Sequence, residues 1–135
     1  MQNPRCVMIL NAALPPGKAT NAAAVMALTL GQRHPELVGD ALTDAERRPS
    51  PGLITTGIPV LAATDEQLSV LRERCEQGEY DLVLFPEAGQ STTDYLALGA
   101  VLRQQPRQQW RLLGLAVVGD KKSLRKLTAK LALFG

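Results

Sequence analysis

The sequence predicts an α/β domain in which helices cover both faces of a sheet. Four apolar segments of strand length alternate with helix-like segments along the chain, which is typical of this class. Neither an internal repeat nor a linker interrupts the alternation, and 135 residues are enough to bury one core without metals or disulfides. We therefore expect a single domain over residues 1–135.

An apolar run and an alanine-rich segment predict the first strand and the first helix. Residues Cys6–Leu10 are all apolar, which favours a central strand covered on both faces. A turn with Pro15, Pro16 and Gly17 follows, and then a helix over about Ala19–Arg33. Because this helix is apolar on nearly every side, we expect it to pack against neighbours on more than one face, and a dimer contact is one solution.

The middle of the chain predicts a surface segment, an edge strand and a capped helix. Residues Pro35–Pro51 are polar, with room for one short strand or turn. Leu53–Ala62 is rich in β-branched residues, but Pro59 lacks the amide hydrogen of a ladder donor, so we expect this strand at the side of the sheet. Thr64 and Gln67 have the spacing of a capping box before an amphipathic helix.

Two strands and two helices are predicted in the last part of the chain. The apolar run Tyr80–Phe85 favours an interior strand, and Arg111–Val118 favours a fourth strand. We expect helices over about Thr93–Gln104 and over Lys121–Leu131. The predicted inward side chains of these two helices are Tyr95, Leu98, Val101 and Leu102 in the first and Leu124, Leu127 and Leu131 in the second.

Composition and charge exclude several classes of protein. A formal net charge of +2 is too small to indicate a nucleic-acid-binding protein. Apolar stretches such as Ala22–Leu28 are far shorter than the roughly 18 to 20 residues that cross a bilayer, and the start of the sequence lacks the pattern of a signal peptide. We therefore expect a cytoplasmic protein with no membrane partner. Cys6 and Cys75 have no CxxC spacing and no histidine cluster, which favours buried free thiols over a metal site.

The turn before the first helix is a candidate anion site. Amide groups at a helix start attract anions, and Lys18 adds a positive charge beside them. A P-loop would need glycine in place of Ala12 and a hydroxyl residue in place of Ala19. The alternative is an ordinary strand-to-helix turn with a solvated lysine. The candidate ligand-binding residues of this turn are Gly17, Thr20 and Asn21.

A polar loop follows the strand that ends at Phe85 and is a second candidate. Ligands bind at the carboxyl ends of strands in α/β sheets, so Glu87 and the hydroxyl groups behind it are expected at the mouth of a site. Capping of the next helix by a hydroxyl is the alternative, and it is compatible with the first interpretation. The candidate ligand-binding residues of this loop are Gln90, Ser91 and Thr92.

A basic segment and the single histidine are weaker signals. Lys122, Lys126 and Lys130 recur every four residues along one predicted helix side. Such a strip can contact RNA phosphates, but a solvated face gives the same pattern, and no aromatic residue is interleaved to stack on bases. His34 is expected at the end of the first helix, where it complements the helix dipole rather than acting in catalysis.

The order of these motifs resembles the type 2 peptidyl-tRNA hydrolases over nearly the whole chain. Glu87-Ala88-Gly89 is similar to that family's Asp-Ala-Gly, and Thr128–Phe134 is similar to its Thr-Gly-x-Leu-x-Leu-aromatic ending. A closer resemblance is to an uncharacterised bacterial family, known only as a domain of unknown function, that shares the hydrolase fold. The segments that carry this closer resemblance are Leu14–Gly17, Asn21–Ala24, Gly114–Ala116 and Gly119.

The resemblance implies a three-layer α/β/α domain around a mixed sheet of about four strands, and a homodimer, which is common in that fold. In the hydrolases the first helix carries Gly-Lys-x-Lys, then a Gln and a His. Gly17-Lys18 matches the start, whereas Thr20, Ala24 and Ala27 stand at the later polar positions and Glu87 replaces the Asp. In the hydrolases these polar groups would position the substrate and transfer protons. An active hydrolase and a protein without hydrolase activity are therefore both alternatives for this chain.

The sequence predicts a cleft between Gly17-Lys18 and Glu87–Thr92 that binds an anionic or nucleotide-like ligand, with tRNA as a candidate. We expect neither a cofactor nor a metal. In a hydrolase, Lys18 would stabilise an oxyanion or hold a phosphate, Glu87 would orient water, and Ser91 or Thr92 would donate hydrogen bonds. The alternative is a non-catalytic dimeric protein whose cleft holds a metabolite or a partner.

Overall fold

A five-stranded mixed sheet forms the centre of the computed structural model, which describes residues 3–135. The strands in spatial order are β5 (Asp81–Pro86), β6 (Leu112–Asp120), β1 (Pro4–Asn11), β4 (Val60–Ala63) and β7 (Ala132–Leu133). β4 is parallel to β1, whereas β6 is antiparallel to both β1 and β5, and β7 is antiparallel to β4. β1, β4 and β5 therefore run in one direction and end at the same end of the sheet, here called the carboxyl end.

Helices cover both faces of this sheet. α1 (Pro16–Arg33) packs on one face, and α2 (Asp65–Gln77) and α5 (Lys121–Leu127) pack on the other. Successive side chains of a strand point to opposite faces, and β1 divides its apolar side chains accordingly. Those facing α1 are Cys6, Met8 and Leu10, and those facing α2 and α5 are Val7 and Ile9. The apolar run in β1 thus reflects burial on both faces of a central strand.

The starts of α1 and α2 are fixed by local chemistry. Thr64 Oγ1 accepts a hydrogen bond from the amide of Gln67 at 3.1 Å, and the Gln67 side chain accepts one from the amide of Thr64 at 2.9 Å, which confirms the capping box. α1 begins at Pro16, three residues earlier than the predicted Ala19. Proline is well suited to the first helical position because its fixed φ matches the helix and its missing N–H has no helical partner there.

The lateral positions of two strands differ from the prediction. β5, predicted as an interior strand, is the outer strand next to β6. Its apolar run reflects helix coverage of its two faces: Leu82 and Leu84 pack on the α2 side and Val83 on the α1 side. The strand predicted at the side of the sheet is β4, which lies between β1 and β7. Pro59 precedes β4, so its missing donor removes no rung of the ladder.

β7 is the fifth strand, where about four were expected. It has two residues, which is too short to leave a hydrophobic period in the sequence. Hydrogen bonding of the Phe134 amide to the Val60 carbonyl at 2.9 Å extends its contact with β4.

Two helices are shorter than predicted. α4 spans Tyr95–Leu102 with Asp94 as its N-cap, and it packs against the four-residue α3 (Ala88–Ser91) rather than the sheet core. The predicted inward residues Tyr95 and Val101 are therefore exposed, while Leu98 and Leu102 are half-buried. α5 ends at Leu127, so the lysine repeat does not continue along a helix to residue 130.

The polar segment after α1 carries little regular structure. A 3-10 turn spans Pro35–Leu37, and a hairpin joins β2 (Leu42–Thr43) to β3 (Pro49–Ser50). A second 3-10 turn, Arg107–Gln109, leads into β6.

Both cysteines are buried free thiols, as expected, and burial raises the pKa of each to about 11.

Candidate functional site

A cavity of about 400 Å³ lies at the carboxyl end of the sheet. It is bordered by the β1–α1 turn, by the loop after β5 and by the start of β6. The two turns do not follow adjacent strands, because β6 lies between β1 and β5. The turns still meet, because β1 and β5 run in the same direction and end at the same end of the sheet. We call this space the site cavity.

Asn11, the last residue of β1, is the buried polar group of the site cavity. Its side chain is 2% exposed, and each of its polar atoms has a partner. Nδ2 donates to Asp65 Oδ1 at 2.8 Å and to the Leu112 carbonyl at 3.4 Å, while Oδ1 accepts from the Ala13 amide at 3.0 Å. Asn11 thereby fixes the turn after β1 against α2 and β6.

Arg111, immediately before β6, is one of two cationic residues that line the site cavity. Its guanidinium contacts the Glu87 carboxylate and lies 3.5 Å from Asp65 Oδ1. The hydrogen bond to Glu87 and the charges of Asp65 and Glu87 raise the pKa of Arg111 further above its ordinary value. Backbone contact reinforces the pairing, since the Glu87 amide donates to the Arg111 carbonyl at 2.8 Å. Arg111 thus pairs with both carboxylates, and its single positive charge offsets one of their two negative charges.

Lys18 lines the site cavity from the first turn of α1 and is exposed. No carboxylate of residues 3–135 comes within 4.0 Å of its ammonium group. The N-cap residue Pro15 offers no side-chain acceptor to the helix amides, and the first turn of α1 holds no acidic residue. The lysine charge and the positive end of the helix dipole therefore act together at this border of the cavity.

Gln90 ties the two turns together. Its Nε2 donates to the Lys18 carbonyl at 2.8 Å and to Asn21 Oδ1 at 3.2 Å. Its Oε1 is buried and has no partner among residues 3–135. Ser91, its neighbour, donates its hydroxyl to the Ala88 carbonyl at 3.2 Å. The loop after β5 is thus held against α1 by side-chain amide contacts.

Of the residues singled out from the sequence, Lys18, Glu87, Gln90 and Ser91 line the site cavity together. Those outside its lining are Gly17, Thr20, Asn21 and Thr92. The Thr20 hydroxyl turns back to the carbonyls of Pro16 and Gly17, at 3.0 Å each, because the i−4 and i−3 acceptors of a helix are within its reach. The Asn21 side chain accepts a hydrogen bond from Gln90 Nε2.

Two polar lining residues, Asn11 and Arg111, were missed as site candidates. The sequence signal for both was present: a polar residue at the end of one buried strand and a cation at the start of another. Their proximity depends on β6 running antiparallel beside β1, which no local pattern indicates.

His34 lies away from the site cavity, at the C-terminal end of α1. Its Nε2 contacts Asp81 Oδ2 at 2.5 Å, and Arg33 donates to the same carboxylate at 2.7 and 2.9 Å. The Arg33 hydrogen bond, followed by that of His34, holds the pKa of Asp81 below its ordinary value. The histidine therefore takes part, with Arg33 and Asp81, in a hydrogen-bonded cluster that joins α1 to β5.

A protein-family model matches almost the entire chain. Residues 4–134 match the model of DUF2000, described as a protein of unknown function. The chain belongs to the DUF2000 family. The closer of the two resemblances drawn from the sequence was to a bacterial family known only as a domain of unknown function, and this match agrees with it.

A solved structure has the same fold. The chain is similar to the protein of unknown function Atu0240 from Agrobacterium tumefaciens strain C58, with a TM-score of 0.89, 21% identity and full coverage of both chains. No match was found among curated proteins.

Within residues 3–135, no helix is long and apolar enough to cross a membrane. The same residues contain no group of three or more His, Cys, Asp or Glu side chains placed to hold a metal ion.

Proposed function

We propose that this DUF2000 protein binds an anionic, nucleotide-like ligand in the site cavity. The observation that carries the proposal is the unpaired charge of Lys18. Glu87 lines the same space, and its contact with Arg111 reduces its repulsion of an anion. A phosphate or carboxylate would take the place beside Lys18 that no side chain of residues 3–135 fills.

The rest of the lining suits a ligand larger than a simple anion. Leu14, Pro15 and Leu113 offer apolar surface, and Gln90 and Ser91 offer polar groups. A volume of about 400 Å³ lies within the range of small-molecule sites. A nucleotide has this division into a charged phosphate and a flat, less polar body. The 3′ end of a tRNA carries the same groups.

Ester hydrolysis is a second candidate function, because the carboxylate of Glu87 lines the same cavity as Lys18. In this mechanism Glu87, held by Arg111, orients a water molecule and accepts its proton as the water adds to the ester carbonyl, while Lys18 stabilises the oxyanion that forms. Collapse of this intermediate breaks the ester C–O bond, and the leaving alcohol takes the proton from Glu87. Ser91 is not suited to act as a nucleophile, because its hydroxyl is donated to a backbone carbonyl and no histidine lines the cavity. Type 2 peptidyl-tRNA hydrolases, which the motif order resembles, act on such an ester.

A titration separates ligand binding from an ordinary solvated turn. We expect AMP to bind the protein and Lys18→Ala to weaken binding by about 1 to 3 kcal/mol, the usual range for a charge-assisted contact. Lys122→Ala removes the same charge from α5, outside the site cavity, and should bind AMP like the parent. Equal affinity of parent and Lys18→Ala, measured by calorimetry, would contradict the proposal.

Catalysis needs its own assay. Purified protein is incubated with diacetyl-lysyl-tRNA, and release of the blocked amino acid is followed. Turnover that is lost in Lys18→Ala and in Glu87→Gln supports the hydrolase. Binding of AMP without turnover supports the non-catalytic alternative.

We further propose that the protein is a homodimer formed through α1. Val25 is 45% exposed and Leu28 is 79% exposed on the side of α1 that faces away from the sheet. Burial of such residues in a twofold contact would be favourable. Light scattering at tens of micromolar protein should give the dimer mass, and Leu28→Lys should give the monomer. A monomeric parent protein would exclude the contact.

A further inference from the structure

A second cavity lies at the opposite end of the sheet from the site cavity. Its volume is about 480 Å³, and it opens between β1, the segment before β4, and α5. The space exists because β1 extends beyond β4: pairing with β4 starts at Met8, so the first residues of β1 have no strand on that side. We call this space the distal cavity.

The rim of the distal cavity is positively charged. Arg5, Lys121 and Arg125 line it, and no acidic side chain does. None of the three forms an ion pair with a carboxylate within residues 3–135. Arg5 directs one nitrogen at the Pro4 carbonyl at 3.1 Å, which leaves its other donors free. Three cations with no internal partner create an attraction for an anion at this position.

The floor of the distal cavity is apolar. Val7, Leu61 and Leu124 are buried and continuous with the core on the α2 and α5 side, and Leu131 packs beside them. A small hydrophilic anion would contact the rim and leave the apolar floor exposed to water. A ligand that places apolar atoms on the floor gains the free energy of burying them.

We propose that the distal cavity binds an amphipathic anion, with a carboxylate or phosphate head at the three cations and an alkyl body on the apolar floor. The two parts of the lining select the two parts of this ligand class. Neither Lys18 nor Glu87 borders the distal cavity, so this inference does not depend on the function proposed for the site cavity.

Four probes separate the contributions of the charge and of the alkyl chain. Octanoate and octyl phosphate carry both the charge and the chain, octanol carries only the chain, and inorganic phosphate carries only the charge. We expect the first two to shift the NMR signals of residues that line the distal cavity, and the tighter of the two identifies the preferred head group. Binding of octanol or of inorganic phosphate as strong as that of octanoate would overturn the proposal, as would absence of binding by both amphipathic probes.

Two variants of α5 test the role of the rim. Arg125→Gln should weaken octanoate binding about tenfold, as expected for loss of one charged contact. Lys122→Gln lies on the same helix outside the cavity and should bind like the parent. Arg125 is exposed and unpaired within residues 3–135, so its variant should keep the parent's unfolding temperature. Equal weakening by both variants would show a general charge effect and contradict a specific site.

Discussion

Asn11→Asp tests the buried polar junction beneath the site cavity. The substitution keeps the shape of the side chain but replaces the amide nitrogen with an oxygen. That nitrogen now donates to Asp65 Oδ1 at 2.8 Å and to the Leu112 carbonyl at 3.4 Å. In the variant, an ionised carboxylate would face two acceptors at a position where the parent residue is 2% exposed.

The expected cost follows from these contacts. Loss of a hydrogen bond to a charged acceptor accounts for about 1.5 to 3 kcal/mol, and burial of a second carboxylate adds to it. Arg111, 3.5 Å from Asp65, offsets part of the repulsion. We expect the variant to be less stable than the parent by about 3 kcal/mol at pH 7.

The penalty should depend on pH in a defined direction. The folded state raises the pKa of the introduced carboxyl above its unfolded value of about 3.9. Below about pH 4 that group is protonated in both states and can donate to Asp65, so the difference from the parent is small there. It should grow by about 1.4 kcal/mol per pH unit and level off near pH 6, where about 3 kcal/mol is reached.

Urea unfolding followed by circular dichroism at pH 4 and pH 7 measures this difference. Asn3→Asp is the control, because it makes the same chemical change at an exposed position and should leave the free energy of unfolding within about 0.5 kcal/mol of the parent. An Asn11→Asp variant as stable as the parent at pH 7, or equally destabilised at both pH values, would refute the reasoning.

Three further substitutions or reactions test the fold. Asp81→Asn should lower the free energy of unfolding by about 1 kcal/mol at pH 7, measured by urea unfolding. Because the pKa of Asp81 is lowered in the folded state, its contribution to stability is present above about pH 4 and is lost as the pH falls through the folded pKa. A cost of the substitution that persists at low pH would contradict this. Gly114→Ala should cost about 1 to 3 kcal/mol, measured by thermal unfolding, because the added methyl would lie 2.9 Å from the Ile9 carbonyl oxygen and 3.0 Å from Met26 Cε; an unchanged melting temperature would contradict it. Cys6 and Cys75, with pKa values raised to about 11 by burial, should resist DTNB at pH 8 until urea unfolds the protein; rapid reaction in the folded state would show that they are accessible.

Elements with a strong local signal could be predicted from the sequence. The capping box at Thr64 and Gln67 depends on residues three apart, and the apolar run of β1 depends on consecutive residues. Both were predicted correctly because the information that specifies them is local. The lateral order of the strands was not, since β5 has the same apolar run as an interior strand although it lies at the side of the sheet.

The candidate site shows the same division. Lys18 and Glu87 could be named because each follows an apolar strand, and their meeting requires only that β1 and β5 run in the same direction. Arg111 is visible in the sequence as a cation at the start of an apolar strand, but its contact with Glu87 could not be predicted, because that contact requires that β6 start at the end of the sheet where β5 stops. That arrangement is a property of the whole sheet and leaves no local pattern.

The binding of an anion in the site cavity is tested most directly by NMR. Assigned amide signals are followed while AMP is added to the parent protein and to Lys18→Ala. We predict that the largest shifts fall on amides of residues that line the site cavity, namely Ala13, Leu14, Lys18, Glu87, Gln90 and Ser91. We also predict that Lys18→Ala reduces these shifts at every AMP concentration below saturation. Shifts confined to other parts of the chain, or shifts of equal size in the two proteins, would contradict the account.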